Sequence, residues 1–329
     1  MLALTQPIAP GAGRAVERLP DLLGTAGPSS EEGIYGEVCR VLRVPVVDAL
    51  FRVLGGYPGF LEEAWVLMAG NLASLYLEGQ ADPLRARSLV RFRPPGYSEP
   101  DTLRAAGLSD ADMDAIRAWN VTQQYVLPKL LVFAAAWDAA LSGIALGGAR
   151  LPLEEHAPLP SGIAPGAVAL PAPAETSERV RDTFDRIREV HGHPLLHDYH
   201  RGLAAWPGYL ERAWADMRSA AFTEEYTARG SELWGMARAA AAGMPFELPA
   251  GAAWVLGRGL SEEQVVEIRA LLDLFARRIY PDVLIDVTLA RAVMEGREAA
   301  GRSPLSVTGG GEREAWGEEE SALRQPSLA

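Results

Sequence analysis

The stretch PVVDALFRVLGGYPGFLEEAWVLM, residues 45–68, recurs as PLLHDYHRGLAAWPGYLERAWADM at residues 194–217. Ten of the 24 positions are identical at a constant offset of 149 residues, without a gap. A match of this length indicates that one supersecondary unit was duplicated within the chain. We therefore expect the two copies to pack against each other around a pseudo-twofold axis. Positions at which the copies differ chemically are then the places to look for function.

The similarity between the two halves continues beyond this segment. Residues 108–118, LSDADMDAIRA, correspond to residues 260–270, LSEEQVVEIRA, at an offset of 152. Each stretch has a serine followed three residues later by Asp112 or Gln264, a spacing typical of a capping box, with Gln264 the better fit. Apolar residues recur at helical spacing through both halves, and no run of two-residue alternation competes. We therefore predict an all-α fold of two tandem helical repeats that form an intrachain pseudo-dimer.

Composition divides the chain into segments. Six prolines between residues 152 and 173 predict a long connection between the repeats. The predicted segments are a flexible N-terminal segment (1–30), a first helical repeat (31–144), a Pro/Ala-rich crossover linker (145–177), a second helical repeat (178–300) and a disordered tail (301–329).

Charge and cysteine content exclude several classes of function. The 329 residues carry a net charge of −12, which argues against nucleic acid and anionic membrane surfaces as partners. Cys39 is the only cysteine, so an internal disulfide, a CxxC redox site and a peroxidase that uses a cysteine pair are excluded. The sequence opens without a secretory leader and has no apolar run long enough to span a membrane, which predicts a cytoplasmic protein.

A histidine cluster distinguishes the second copy from the first. Four of the five histidines fall in HGHPLLHDYH, residues 191–200. The positions are His191, His193, His197 and His200, where the first copy has Leu42, Val44, Asp48 and Phe51. One interpretation is a metal site or a general-base cluster, with ligands from the His191/His193 and His197/His200 pairs. The other is that some histidines face solvent while others cap a helix or pack.

Asp198 lies within this cluster, at the position where the first copy has Ala49. A carboxylate beside His197 and Tyr199 is a candidate general base. The same residue type is also common at helix N-caps, and both interpretations stay open.

Lys129 and Asp282 are single charges in apolar helical stretches, and they correspond at an offset of 153. Burying either charge alone is costly, so we predict an ion pair between them across the pseudo-twofold axis. The alternative is that Lys129 faces a pocket and holds a substrate carboxylate.

Side chains that recur in both copies are predicted to be structural. Arg52 and Arg201 are expected to neutralise Glu62 and Glu211 within their own repeats.

The chain resembles the group I 2-haloacid dehalogenases, the family labelled halocarboxylic acid dehydrogenase. The resemblance rests on RVP at 43–45, FRVLGGYPGFLEEAW at 51–65, PK at 128–129 and LAAWP at 203–207, and it covers about residues 31–295. It implies an all-α pseudo-dimer, commonly dimerised again, with the site between the repeats. It also implies hydrolysis of small 2-halocarboxylic acids of either configuration, without metal or cofactor. In the family, an aspartate activates water for direct attack on C2, with inversion and no ester intermediate.

The resemblance also implies site residues. The family aspartate falls on His197 when counted from the proline at 194, and on Tyr199 when counted from the Trp-Pro pair at 206–207; Asp198, between them, is the only acid there. The implied substrate-binding positions are Val46, Ala49, Asn120, Leu127 and Lys129. Val46 stands where active members have an aromatic residue, and Leu127 where they have an asparagine, for which Asn120 is a substitute.

Displacement at C2 needs a base for water, a positive or N–H cradle for the carboxylate and an apolar wall for the halide. Asp198 is the expected base, with His197 or His200 assisting, while Trp119 and Tyr125 are expected in the wall. The alternatives are a non-dehalogenating family member that binds or converts another small carboxylic acid, acting through the cluster at 191–200, and a binding protein without catalysis.

Overall fold

The structure is a computed structural model, and its fold is all-α. It describes residues 16–17, 19, 33–57, 59–158, 168, 170–172, 175–248 and 251–303. Within these ranges there are helices, turns and isolated bridges but no strand, which confirms the predicted fold class. The predicted N-terminal segment and tail lie almost entirely outside the described residues, as do residues 159–167, 169 and 173–174 of the linker.

In the first half, six α-helices have both of their ends among the described residues. They are α1 (Gly33–Leu42), α2 (Ala49–Leu54), α3 (Phe60–Ala73), α4 (Leu75–Ser88), α5 (Pro100–Ala105) and α6 (Asp110–Leu141). A short 3-10 turn, Leu153–His156, follows in the connection.

The second half contains a similar series. It comprises α7 (Glu178–His191), α8 (Asp198–Gly202), α9 (Pro207–Met217), α10 (Glu224–Ala242), α11 (Ala252–Leu256), α12 (Glu262–Leu274), α13 (Tyr280–Glu295) and α14 (Arg297–Ala300). The 3-10 turns Leu203–Ala205 and Ala220–Phe222 flank α9, and the π-helical turn Phe275–Ile279 joins α12 to α13.

The starts of corresponding helices follow the offsets seen in the sequence. Helices α2 and α8 begin at Ala49 and Asp198, and α4 and α10 begin at Leu75 and Glu224, in both cases 149 residues apart. These boundaries support the duplication, which remains an inference from the sequence.

The π-helical turn accounts for a change in offset. The offset is 152 at Arg117 and Arg269 but 153 at Pro128 and Pro281. Phe275–Ile279 lies between Arg269 and Pro281. A π-turn accommodates one extra residue within a helix, so the second half gains a residue here without breaking the helix.

Both predicted capping boxes form. Ser109 and Asp112 bond reciprocally at the start of α6, and Ser261 and Gln264 do so at the start of α12. These side chains satisfy backbone N–H groups that have no partner inside the helix, which fixes where each helix begins.

Helix α6 runs through the centre of the molecule and packs against α10, α12 and α13. Every residue from Thr122 to Trp137 is buried, so this part of the helix has no solvent-facing side. A helix buried on all sides is a core element, and any charge on it requires a partner. None of the described helices is both long and apolar enough to cross a lipid bilayer.

Lys129, in the middle of α6, has a partner other than the predicted one. Its Nζ lies 2.5 Å from Oε2 of Glu78 on α4 and donates to the Tyr125 hydroxyl at 2.7 Å. Asp282 instead contacts His193, with 2.8 Å between Nε2 and Oδ2. The prediction of a buried ion pair at Lys129 is confirmed, but Asp282 as the partner is wrong, because α4 brings Glu78 closer.

Candidate active site

A small cavity lies where the first half meets the start of α8. Its volume is ≈ 10 Å³, about the space that one water molecule requires. The lining is mostly apolar, with two carboxylates and one amide. The lining residues are Leu42, Val44, Val46, Val47, Asp48, Trp119, Gln123, Val126, Leu130 and Asp198.

The N-termini of α2 and α8 meet at this cavity through their capping residues. Asp48 caps α2 by accepting from the Leu50 N–H at 2.9 Å, and His197 caps α8 by accepting from the Tyr199 N–H at 3.1 Å through Nδ1. Because Nδ1 is an acceptor, the ring proton resides on Nε2, which donates to Oδ2 of Asp48 at 3.0 Å. Residues 48 and 197 are 149 positions apart, the repeat offset in the sequence, so their contact is one that the proposed pseudo-twofold arrangement predicts.

Asp48 has a third donor in the Tyr280 hydroxyl, 2.6 Å from Oδ1. Burial by itself raises the pKa of the Asp48 carboxyl, but the neighbouring His197 and the hydrogen bonds from His197, Tyr280 and Leu50 outweigh it, so the net pKa is lowered. Asp48 is therefore a firmly ionised carboxylate whose two oxygens are held in place.

Asp198 lines the cavity from the second half. Both of its oxygens accept from the same terminal nitrogen of Arg52, at 2.8 and 2.7 Å, and Oδ1 also accepts from Arg201 at 3.0 Å. Asp198 is the first residue of α8, and the N-cap is His197, so the interpretation of Asp198 as the cap is wrong by one position. The expected pairing of the two arginines with Glu62 and Glu211 is also wrong, because both guanidinium groups bind Asp198.

Trp119 forms one wall of the cavity, as expected for a halide-facing side chain. Its indole Nε1–H donates to the Tyr199 carbonyl at 3.0 Å, which ties α6 to α8. Gly202 lies directly under the indole, and a Cβ there would come within 2.5 Å of the ring. Tyr125, the other expected wall residue, instead binds Glu78 and Lys129.

The structure brings some of the predicted substrate-binding residues to the cavity and places others elsewhere. Val46 is in the lining, and Ala49 is buried next to Asp48 as the first residue of α2. The side-chain amide of Asn120 donates to the Tyr209 hydroxyl at 3.0 Å, and Leu127 is fully buried. Among the described residues, the cavity lining includes neither Asn120 nor Leu127.

Two further predicted residues lie outside that lining. Lys129 is engaged by Glu78, and Tyr199 is fully buried behind Trp119. The Tyr199 hydroxyl has no hydrogen-bond partner among the described residues. Tyr199 thus contributes its backbone to the site rather than its ring.

Sequence reasoning missed Asp48, Arg52 and Gln123 as site residues. The sequence could have indicated Asp48, because it is the counterpart of His197 at the repeat offset, and counterparts are expected to meet near a pseudo-twofold axis. Nothing in the sequence indicated that Arg52 pairs with Asp198, since their separation of 146 residues follows no repeat offset.

The four clustered histidines divide into two groups. Only His197 reaches the cavity, through Asp48. His191 and His200 both direct Nε2 at Oδ2 of Asp286, at 2.9 and 3.1 Å, and His193 contacts Asp282. The predicted His191/His193 pair stays together, with stacked rings whose centroids are 5.1 Å apart and ring nitrogens close to Asp282. The predicted His197/His200 pair is wrong, because His197 contacts Asp48 whereas His200 contacts Asp286.

Known proteins resemble this chain over most of its length. The family model "Halocarboxylic acid dehydrogenase DehI" matches residues 45–199. A configuration-inverting 2-haloacid dehalogenase from Alcaligenes xylosoxydans xylosoxydans is 30% identical over 285 residues, which are 84% of this chain and 94% of the relative. An (R)-2-haloacid dehalogenase from Pseudomonas putida is 28% identical over 250 residues, 74% of this chain and 82% of the relative. A solved complex of a D-2-haloacid dehalogenase mutant with D-2-CPA superposes with a TM-score of 0.74 at 27% identity, covering 79% of this chain and 90% of that one.

Proposed function

Because the chain belongs to the family of 2-haloacid dehalogenases, we propose that it hydrolyses small 2-halocarboxylic acids at the cavity between Asp48 and Asp198. One observation carries the location: two carboxylates from different halves converge on a small, mostly apolar cavity. Apolar surroundings strengthen the electrostatic action of the few polar groups among them.

Asp198 is the proposed base, as expected from the sequence. Its carboxylate takes a proton from a water molecule, and the water oxygen forms a bond to C2 of the substrate. The carbon–halogen bond breaks, and the halide leaves with the bonding electron pair. The product is a 2-hydroxy acid of inverted configuration, and the proton then leaves Asp198 for solvent. Asp48 is less suited to this role, because its lowered pKa makes its carboxylate a weaker base.

Arg52 is the proposed partner of the substrate carboxylate. It binds Asp198 through one terminal nitrogen, and its buried Nε–H has no hydrogen-bond partner among the described residues. The guanidinium therefore has donor capacity left for a second carboxylate. Arg201 differs, because its remaining donors bind the carbonyls of Leu170 and Pro171.

The apolar wall receives the halogen. Trp119, Val126 and Leu130 from α6 line the cavity together with the two carboxylates. Since the cavity has space for about one water molecule, a bound haloacid requires the walls to separate. The space itself is the proposed position of the attacking water.

The test is halide release by Asp198→Asn and Asp48→Asn, each compared with the wild type. Loss of a general base predicts a fall in kcat of about 10²- to 10⁴-fold for Asp198→Asn and a smaller fall for Asp48→Asn. Full activity of Asp198→Asn, or a larger loss in Asp48→Asn, would refute the assignment. A single turnover in ¹⁸O-labelled water should place the label in the product and none in the protein, whereas labelled Asp198 would reveal an ester intermediate.

We also propose that the protein is a cytoplasmic homodimer, on the basis of the sequence resemblance. Light scattering after gel filtration would measure twice the 35.3 kDa mass of the chain. A single-chain mass across the working concentration range would contradict the dimer.

A further inference from the structure

We propose that His191, His200 and Asp286 bind a divalent transition metal of the zinc class, at a site separate from the dehalogenation cavity. The three residues come from α7, α8 and α13 and are buried. Their candidate ligand atoms all lie within 4.8 Å of one another. Among the described residues, none of the three lines the cavity.

The distances suit a tetrahedral ion after a small expansion. Nε2 of His191 and Nε2 of His200 lie 2.9 and 3.1 Å from the same oxygen of Asp286. Ligands about 2.0–2.1 Å from a zinc ion are roughly 3.3 Å apart in a tetrahedron. Each of the two nitrogen–oxygen separations therefore needs to widen by only a few tenths of an ångström, and a water molecule would be the fourth ligand.

A neighbouring hydroxyl orients one of the ligand atoms. The Tyr226 hydroxyl donates to Oδ1 of Asp286 at 3.0 Å, which leaves Oδ2 for the ion. Oδ2 of Asp282 lies 3.9 Å from Nδ1 of His191, which is beyond hydrogen-bond distance. A small approach would give His191 the carboxylate partner that metal-bound imidazoles commonly have.

The first half shows that the fold does not need polar residues at these positions. The counterparts of His200 and Asp286 are Phe51 and Phe133, whose ring centroids are 5.0 Å apart in the core. Leu42, the counterpart of His191, is also buried. A buried polar cluster is often no more stable than apolar packing of similar volume. The helices could thus pack here without histidine or aspartate, and metal binding supplies the reason for both.

The consequence for the protein is mechanical rather than catalytic. A metal would join α7 and α13 to α8, the helix that also carries Asp198 two residues before His200. It would hold this short helix at a fixed position beneath the cavity. The inference does not depend on the proposed reaction, because metal binding is measured without substrate.

The experiment measures zinc in the purified full-length chain by mass spectrometry and then titrates chelator-treated protein with Zn²⁺ and with Co²⁺. The wild type should bind one equivalent per chain, show the visible absorption of tetrahedral cobalt, and gain thermal stability with rising zinc concentration. His191→Gln and His200→Gln should lose the bound metal. Glutamine keeps an N–H at the position of Nε2, so each variant retains the hydrogen bond to Asp286.

Two matched variants complete the design. His193 belongs to the neighbouring triplet with His191 and Asp282, and His156 lies on the 3-10 turn in the connection. The control variants His193→Gln and His156→Gln should therefore each retain one equivalent of metal per chain. Absence of saturable binding in the wild type would overturn the proposal. Retention of the metal by both His191→Gln and His200→Gln would do the same. Loss in His193→Gln with retention in His200→Gln would refute the assignment of the three ligands.

Discussion

Replacing Gly202 with alanine tests the close packing between α8 and α6 on which the cavity depends. A Cβ at this position would lie 2.5 and 2.6 Å from two carbons of the Trp119 indole and 2.7 Å from Cγ2 of Val168. Trp119 is fully buried and bonded to the Tyr199 carbonyl, so it has little freedom to move away. Ordinary van der Waals contact begins at 3.4 Å, so the ring must shift by roughly 0.9 Å, and overpacking of this kind costs about 1–3 kcal/mol.

Gly235 provides the matched control, because it lies exposed in α10 with no atom within 4 Å of an added Cβ. Gly235→Ala should stabilise the protein by about 0.5–1 kcal/mol through helix propensity alone. In urea unfolding, the two variants should therefore differ by about 1.5–4 kcal/mol, with Gly202→Ala the less stable. Halide release should also fall about 10- to 100-fold in Gly202→Ala, because displacement of a cavity wall by part of an ångström misplaces the reactants.

Equal unfolding midpoints and equal rates of halide release for the two variants would refute this reasoning. Either result would mean that the indole moves without cost or that it does not border the reacting atoms. A stable but inactive Gly202→Ala would keep the placement of Trp119 and revise only the energetic argument.

Three further predictions concern buried charges. Lys129→Met should lower the free energy of unfolding by about 3–5 kcal/mol, because it deprives buried Glu78 of its nearest cation; an unchanged urea midpoint would contradict the pair. Burial by itself raises the pKa of Glu78, but Lys129 and Arg85 outweigh it, and the net pKa lies below the usual 4.5. Because the pKa of Glu78 is lower in the folded than in the unfolded protein, ionised Glu78 stabilises the fold above about pH 4.5, and this contribution is lost as the pH falls. Glu78→Gln should therefore make the free energy of unfolding depend less on pH in this acidic range. Arg52→Met should reduce kcat/KM about 10- to 100-fold. Wild-type kinetics in this variant would refute the proposed contact between Arg52 and the substrate carboxylate.

The fold could be predicted from the sequence because its determinants are local. Helical periodicity marked both halves, and serine-led capping boxes marked the start of α6 and α12. The repeat offset aligned the boundaries of distant helices. These signals do not depend on how far apart two elements lie in space.

The partners of buried charges could not be predicted in the same way. The repeat offset relates Lys129 to Asp282 in the sequence, but an offset does not say which residues meet in space. Asp48 and His197, which also correspond by offset, do form a hydrogen bond at 3.0 Å. Lys129 lies closer to Glu78 of α4, and nothing in the sequence records that distance.

The most direct test of the central claim is halide release from D- and L-2-chloropropionate by the purified protein, with the configuration of the lactate product determined. The account predicts chloride release together with a lactate whose configuration is opposite to that of the substrate consumed, and loss of both in Asp198→Asn. No chloride release from either enantiomer would contradict the proposed function, and lactate of retained configuration would contradict direct attack by water.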